Sequence, residues 1–130
     1  MKAPSILLMS AVMSAGAFLG AGGDARAQDA AAGQKVYAQC RACHSLEAGK
    51  NGLGPSLKGV IGRKAASAAG FKTYSPAMQK SGIVWTEDNI KKYLADPKGF
   101  IPGNRMVYAG LKRPADVENI VAFIKQESAK

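Results

Sequence analysis

From residue 28 onward, the apolar positions of this chain recur mostly at helical spacing. Val36, Tyr37 and Cys40 fall about one turn apart behind Asp29, a residue suited to capping a first helix. Ser75 and Pro76 offer a cap followed by a first-turn proline, and Gly82 offers a stop, so a short helix is predicted between them. Thr86 begins another, with Glu87 and Asp88 well placed against the helix dipole. Ile90, Tyr93 and Leu94 form its apolar face, and Pro97 ends it. Pro114 opens the last helix, where Val117, Ile120, Val121 and Ile124 recur at helical spacing and Lys125 and Lys130 lie near the C-terminal end. Strand character is confined to the short run Gly82–Trp85. The pattern predicts an all-α domain.

The connections are long. Residues 45–74 hold six glycines and Pro55 and show no helical period. A loop of that length argues against a compact domain unless it wraps something. A large apolar cofactor would resolve this, because it would supply the core that the few helices lack.

The first residues read differently. Lys2 is followed by an uncharged, mostly apolar run to Gly23, and Ala25-Arg26-Ala27 fits the small-x-small rule for cleavage before Gln28. A signal peptide over 1–27 and a mature domain over 28–130 are therefore expected, with a retained anchor as the alternative, since the run is nearly long enough to span a bilayer. Loss of Lys2, Arg26 and Asp24 takes the 18 basic and 9 acidic residues to 16 and 8, a net charge of +8. Such an excess bears on partners rather than on fold. Dispersed lysines without a basic tract, on an exported protein, argue against nucleic acid and for acidic protein surfaces. Solubility alone is the competing explanation.

Both cysteines and the single histidine lie within Cys40-Arg41-Ala42-Cys43-His44. A zinc site needs four ligands, usually two pairs, and no second cluster exists here. A thioredoxin-like disulfide needs the pair at a helix start in an α/β fold, whereas this pair is placed late in the first helix of a chain without strands. A structural disulfide would leave His44 without a role. C-x-x-C-H is the attachment signature of c-type haem. Two thiols add to the two vinyl groups as thioethers, and the histidine after the second cysteine then lies under the iron. Export agrees with this, as the attachment occurs outside the bacterial cytoplasm.

A second axial ligand distinguishes an electron carrier from a haem with an open site for gas binding or peroxidase chemistry. After residue 28 the methionines are Met78 and Met106. Met78 sits in the short Ser75 helix, where a core-filling role suits it. Met106 follows "FIPGNR", where Pro102 and Gly103 permit an extended backbone, and it lies far along the chain from His44. Met106 is the expected distal ligand.

The stretches "GQKVYAQCRACH", "GLGPSLKGVIGRK", "GIVWTEDNIKKYLADPKGFIPGNRM" and "ENIVAFIK" resemble class I cytochrome c, the short bacterial periplasmic type similar to mitochondrial cytochrome c, over residues 30–128. The resemblance implies a small all-α class I fold whose helices and long loops wrap one haem c, bound through Cys40 and Cys43. It implies that Gly33 and Tyr37 meet Phe123 on the last helix, and that the Pro55 carbonyl fixes the ring of His44. It gives Arg63, Tyr74 and Trp85 contacts to the haem propionates, and puts Tyr93 near the Met106 sulfur. The implied function is a monomeric, periplasmic, non-enzymatic one-electron shuttle. Its implied partners are acidic docking surfaces on quinol–cytochrome c reductase, a terminal oxidase or a photosynthetic reaction centre. A dedicated acceptor subunit of a periplasmic dehydrogenase, and a haem sensor or peroxidase with a labile distal ligand, are the alternatives. Departures from the family pattern are an extra residue in "GFKTYS", Asn104 where threonine is common, Arg105 for lysine, and Tyr108 for phenylalanine.

Overall fold

A computed structural model describes residues 28–130; the expected signal peptide lies outside the described residues. Five helices follow in order: α1 (Ala30–Tyr37), α2 (Pro76–Lys80), α3 (Glu87–Ala95), α4 (Pro97–Phe100) and α5 (Pro114–Ser128). The described residues contain no strand; the Gly82–Trp85 run contributes one isolated bridge between Lys64 and Val84. The all-α expectation holds.

Local chemistry starts most of these helices where the sequence predicts. The Asp29 carboxylate accepts from the amides of Ala31 and Ala32, Ser75 Oγ from Met78 and Thr86 Oγ1 from Asn89. Each cap satisfies an amide that the first turn leaves without a partner. Gly82, at φ 65°, stops the chain after α2 in a conformation that suits glycine. Two details differ from the sequence reading. Pro97 ends α3 but also opens α4, because Asp96 accepts from the Gly99 amide and so caps a further turn. The cysteine pair does not lie in a helix: α1 ends at Tyr37, and Cys40 and Cys43 sit in the turns that follow. There the Cys43 amide donates to Cys40 O at 3.1 Å and the His44 amide to the same carbonyl at 2.9 Å.

α1 and α5 join the two ends of the described chain. Gly33 is buried where they cross, and Tyr37 stacks at a tilt on Phe123 with ring centroids 5.2 Å apart. The Asp29 amide donates to Asn119 Oδ1 at 3.0 Å, tying the start of α1 to α5. α3 packs beside α5 and is held by exposed or half-exposed ion pairs, Lys91–Glu118 at 2.7 Å and Lys125–Glu87 at 2.6 Å. Such pairs contribute about 0–1 kcal/mol each. The core does more: Ile120 and Val121 are fully buried among Tyr37, Ile90, Leu94 and Phe123.

A Cβ at Gly33 would overlap the Asn119 carbonyl oxygen and lie 2.8 Å from Phe123 Cβ. Neither can swing away, so the helices must separate. Gly33→Ala is expected to lower the stability of the protein by about 1–3 kcal/mol, the usual range for overpacking, read as an earlier denaturation midpoint. An unchanged midpoint would show that the crossing is not tight.

Candidate functional site

One cavity of about 490 Å³ opens between the turn that follows α1, the long loop, α2, α3 and the segment after α4. Its wall is mostly apolar: Leu57, Val60, Ile90, Leu94 and Ile124 line it. All nine residues singled out from the sequence also line it: Cys40, Cys43, His44, Pro55, Arg63, Tyr74, Trp85, Tyr93 and Met106. Residues spread over sixty-odd positions therefore converge on one space of a size suited to a large ligand.

His44 is the most constrained of them. Its Nδ1 lies 2.7 Å from Pro55 O. A carbonyl can only accept, so Nδ1 carries the proton and Nε2 is left as the nitrogen with a free lone pair. Burial pulls the His44 pKa below its ordinary value; the Pro55 bond opposes this and the Arg63 charge adds to it. The neutral imidazole is thus the favoured form, which is the form that binds a metal. Gly54 makes room for the ring, since a Cβ there would overlap His44 Cε1 and come within 2.8 Å of both nitrogens.

Cys40 and Cys43 are both free thiols. Burial, reinforced by the neighbouring Cys43, pushes Cys40 up to about 11. Two thiols on one cavity wall, beside a neutral imidazole, match the attachment chemistry read from the motif. The donor set fits a haem.

Arg63 gives a second fit. Its Nη1 donates to Lys58 O at 2.9 Å and its Nη2 to Ser56 O at 2.8 Å, which holds the guanidinium in the wall. Its Nε is buried without a hydrogen-bond partner among the described residues. A buried unpaired donor is costly, and an anionic group such as a propionate would satisfy it. Tyr74 stands in the same wall, with its hydroxyl accepting from the Ala68 amide at 3.1 Å. That leaves the phenol proton available. The extra residue in "GFKTYS" has therefore not removed Tyr74 from the cavity; it stacks edge-on with Phe71, centroids 4.7 Å apart.

Trp85 and Tyr93 are core aromatics and cavity wall at once. Both are buried, and their ring centroids are 5.0 Å apart. Burial pushes the Tyr93 phenol up to about 12, and its hydroxyl donates to Asn104 Oδ1 at 3.3 Å. The sulfur-bearing side chains of Met78 and Met106 both line the cavity. Sequence reasoning gave no role to Gly54 or Phe71, which also line the wall, and saw Asn104 and the wall residue Tyr108 only as departures. The "GLGP" run carried a signal for Gly54: a glycine one residue before Pro55 suits close backbone approach.

A family model described as Cytochrome c matches residues 30–128. Cytochrome c2 iso-2 of Magnetospirillum fulvum is 62% identical over 90 residues, covering 69% of this chain and 93% of that protein. Cytochrome c2 of Blastochloris viridis is 47% identical over 106 residues, covering 81% of this chain and 83% of that protein. Among solved structures, cytochrome cH from Methylobacterium extorquens superposes with a TM-score of 0.70 at 47% identity, covering 75% of this chain and 98% of that one.

Gly54→Ala is expected to displace the His44 ring, because the new methyl meets ring atoms rather than a flexible side-chain end. The fraction of purified protein carrying covalent haem should fall, measured as haem absorbance per polypeptide. Pro55→Ala serves as the comparison, as it keeps the backbone carbonyl that accepts from Nδ1; equal yields from the two variants would refute the steric argument.

Proposed function

The chain belongs to the cytochrome c family, and on that premise we propose that His44 and Met106 would be the two protein ligands that hold its haem iron. Cys40 and Cys43 carry one covalent haem c, and the protein is a one-electron carrier, not an enzyme. The bound haem supplies a redox couple that gains or loses one electron without breaking a bond. What this chain adds is a fixed environment for it. The observation that carries the ligand assignment is the Nδ1–Pro55 bond, which commits His44 to a single tautomer and leaves Nε2 for the metal.

Met106 is favoured over Met78 by its backbone. Met78 belongs to α2, where its amide donates to Ser75 Oγ and its carbonyl accepts from Ser81 Oγ. Met106 lies in an irregular segment outside any helix, and its amide is held by Asn104. The Met106 thioether would favour the ferrous state of the bound haem and would close the site to outside ligands. The apolar wall keeps water away and favours the less charged form in the same direction. Arg63 and Tyr74, with donors to offer, are assigned to the propionates, and Trp85 screens them.

The carrier reading extends to a freely diffusing, periplasmic monomer whose residues 1–27 are removed. The small-x-small site before Gln28 supports this. Quinol–cytochrome c reductase is the proposed donor, and a terminal oxidase or photosynthetic reaction centre the proposed acceptor. Charge placement supports acidic docking sites on them. Glu47, Glu87, Asp116, Glu118 and Glu127 are each tied to a lysine or arginine of this chain, and among the described residues no carboxylate lines the cavity. At the cavity, Leu53 and Val107 are 83% and 99% exposed, and Arg105 is exposed beside Met106. An apolar contact beside positive charge suits fast, reversible encounter.

Met106→Ala is expected to abolish the methionine–iron absorption band of the ferric protein and to raise its peroxidase activity. The assignment fails if Met78→Ala removes the band instead. Raising ionic strength toward ~0.15 M, where the screening length is about 8 Å, should slow association with the redox partner steeply. A rate indifferent to salt would point to purely apolar docking.

A further inference from the structure

We infer that Asn104 is the positioning residue for Met106 and that it governs how readily the distal position opens to outside ligands. This rests on the assignment of Met106 as the ligand.

The Asn104 amide uses its full hydrogen-bonding capacity. Oδ1 accepts from the Met106 amide at 2.9 Å and from the Tyr93 hydroxyl at 3.3 Å, while Nδ2 donates to Pro97 O at 2.7 Å and to Ile101 O at 2.9 Å. The orientation of the amide follows from its partners. Pro97 O and Ile101 O can only accept, and the Met106 amide can only donate, so exchanging oxygen and nitrogen would break at least three of these bonds. One side chain therefore ties the backbone of the ligand segment to α3 through Tyr93 and to both ends of α4. The Asn104 amide also donates to Ile101 O at 3.1 Å, closing a turn that its side chain braces.

No smaller polar residue can do the same. Threonine, common at this position in the family this chain resembles, has one donor and one short oxygen. Its oxygen can accept from the Met106 amide and its one proton can go to one carbonyl, but it cannot donate to Pro97 O and Ile101 O together. The tie from α4 to the ligand segment would loosen. Tyr93 is joined to the same network, since its one proton goes to Asn104. The methionine side of this site is thus braced from its backbone, two residues away from the sulfur. An outside ligand can bind only after that brace releases, so its apparent affinity reports the population of the released form.

The test is imidazole titration of the ferric holoprotein, followed by loss of the methionine–iron band. Asn104→Ala should tighten apparent imidazole binding by about tenfold or more, the factor that one to two net hydrogen bonds supply. Asn104→Thr should fall between Asn104→Ala and the parent protein. Asn89→Ala is the structural control: it removes the bond from Asn89 Nδ2 to Val84 O at 2.8 Å, outside the ligand segment. It should lower the denaturation midpoint and leave imidazole affinity unchanged. If Asn104→Ala lowers that midpoint while imidazole affinity stays within about twofold of the parent, Asn104 is merely structural and the inference is overturned. Should Asn104→Ala not accumulate as holoprotein, Asn104→Thr decides on the same criterion. A wrong ligand assignment shows itself separately, because Met106→Ala would then leave the band in place whatever Asn104 does.

Discussion

Where α1 crosses α5, a backbone carbonyl fills the space that a side chain on Gly33 would need. The closeness of that crossing fixes where the chain leaves α1. Tyr37, one turn beyond Gly33, is pinned against Phe123, and the turns bearing Cys40, Cys43 and His44 start directly after it. The attachment points are therefore referenced to the most buried part of the molecule, next to Ile120 and Val121. The Tyr37 hydroxyl also reaches the His44 carbonyl, at 3.4 Å. Place the two helices farther apart, and the whole His44 wall shifts against the loops that must meet it.

A domain of about a hundred residues has little apolar surface to bury, and here the same side chains serve two purposes. Trp85, Tyr93, Leu94, Val60 and Ile124 belong to the hydrophobic core and also face the cavity. With the porphyrin bound, these residues pack on both sides. The molecule is in this sense a shell around its cofactor, and the core that the helices alone would form is only part of the final one. The long glycine-containing segment between Ser45 and Tyr74 needs no helix of its own for the same reason: several of its residues line the cavity and the segment hydrogen-bonds locally.

Features encoded over a few residues were legible in the sequence. The caps at Asp29, Ser75 and Thr86 and the stop at Gly82 are local, and each was found where expected; the C-x-x-C-H motif is local too, although it lies in the turns after α1 rather than in the helix. Pro97 ends α3 as expected, but α4 was not foreseen because one residue performs two tasks: it cannot continue α3, yet its fixed φ suits the first position of α4. The end of α1 misled because apolar spacing continues through Cys40 although the backbone has already turned. The cavity wall was legible only through family likeness, since Arg63, Tyr74 and Tyr93 meet across long sequence separations that no periodicity records. Asn104 was the least legible, because its importance lies in four partners spread over α3, α4 and the ligand segment.

Pairing the ends of the domain also sets what its middle can tolerate. Docking α5 on α1 closes a loop of most of the chain, and the entropic penalty of closing a loop grows only with the logarithm of its length, roughly 0.6 kcal/mol per doubling. A residue gained or lost in the segment between them changes that penalty by a negligible amount, provided the wall residues still reach the cavity. The additional residue in "GFKTYS" is such a change; it lies beside Gly70 at φ 75° and the Phe71–Tyr74 stack, and Tyr74 still reaches the cavity. Loop length can therefore drift under weak constraint, while the crossing of the terminal helices stays fixed.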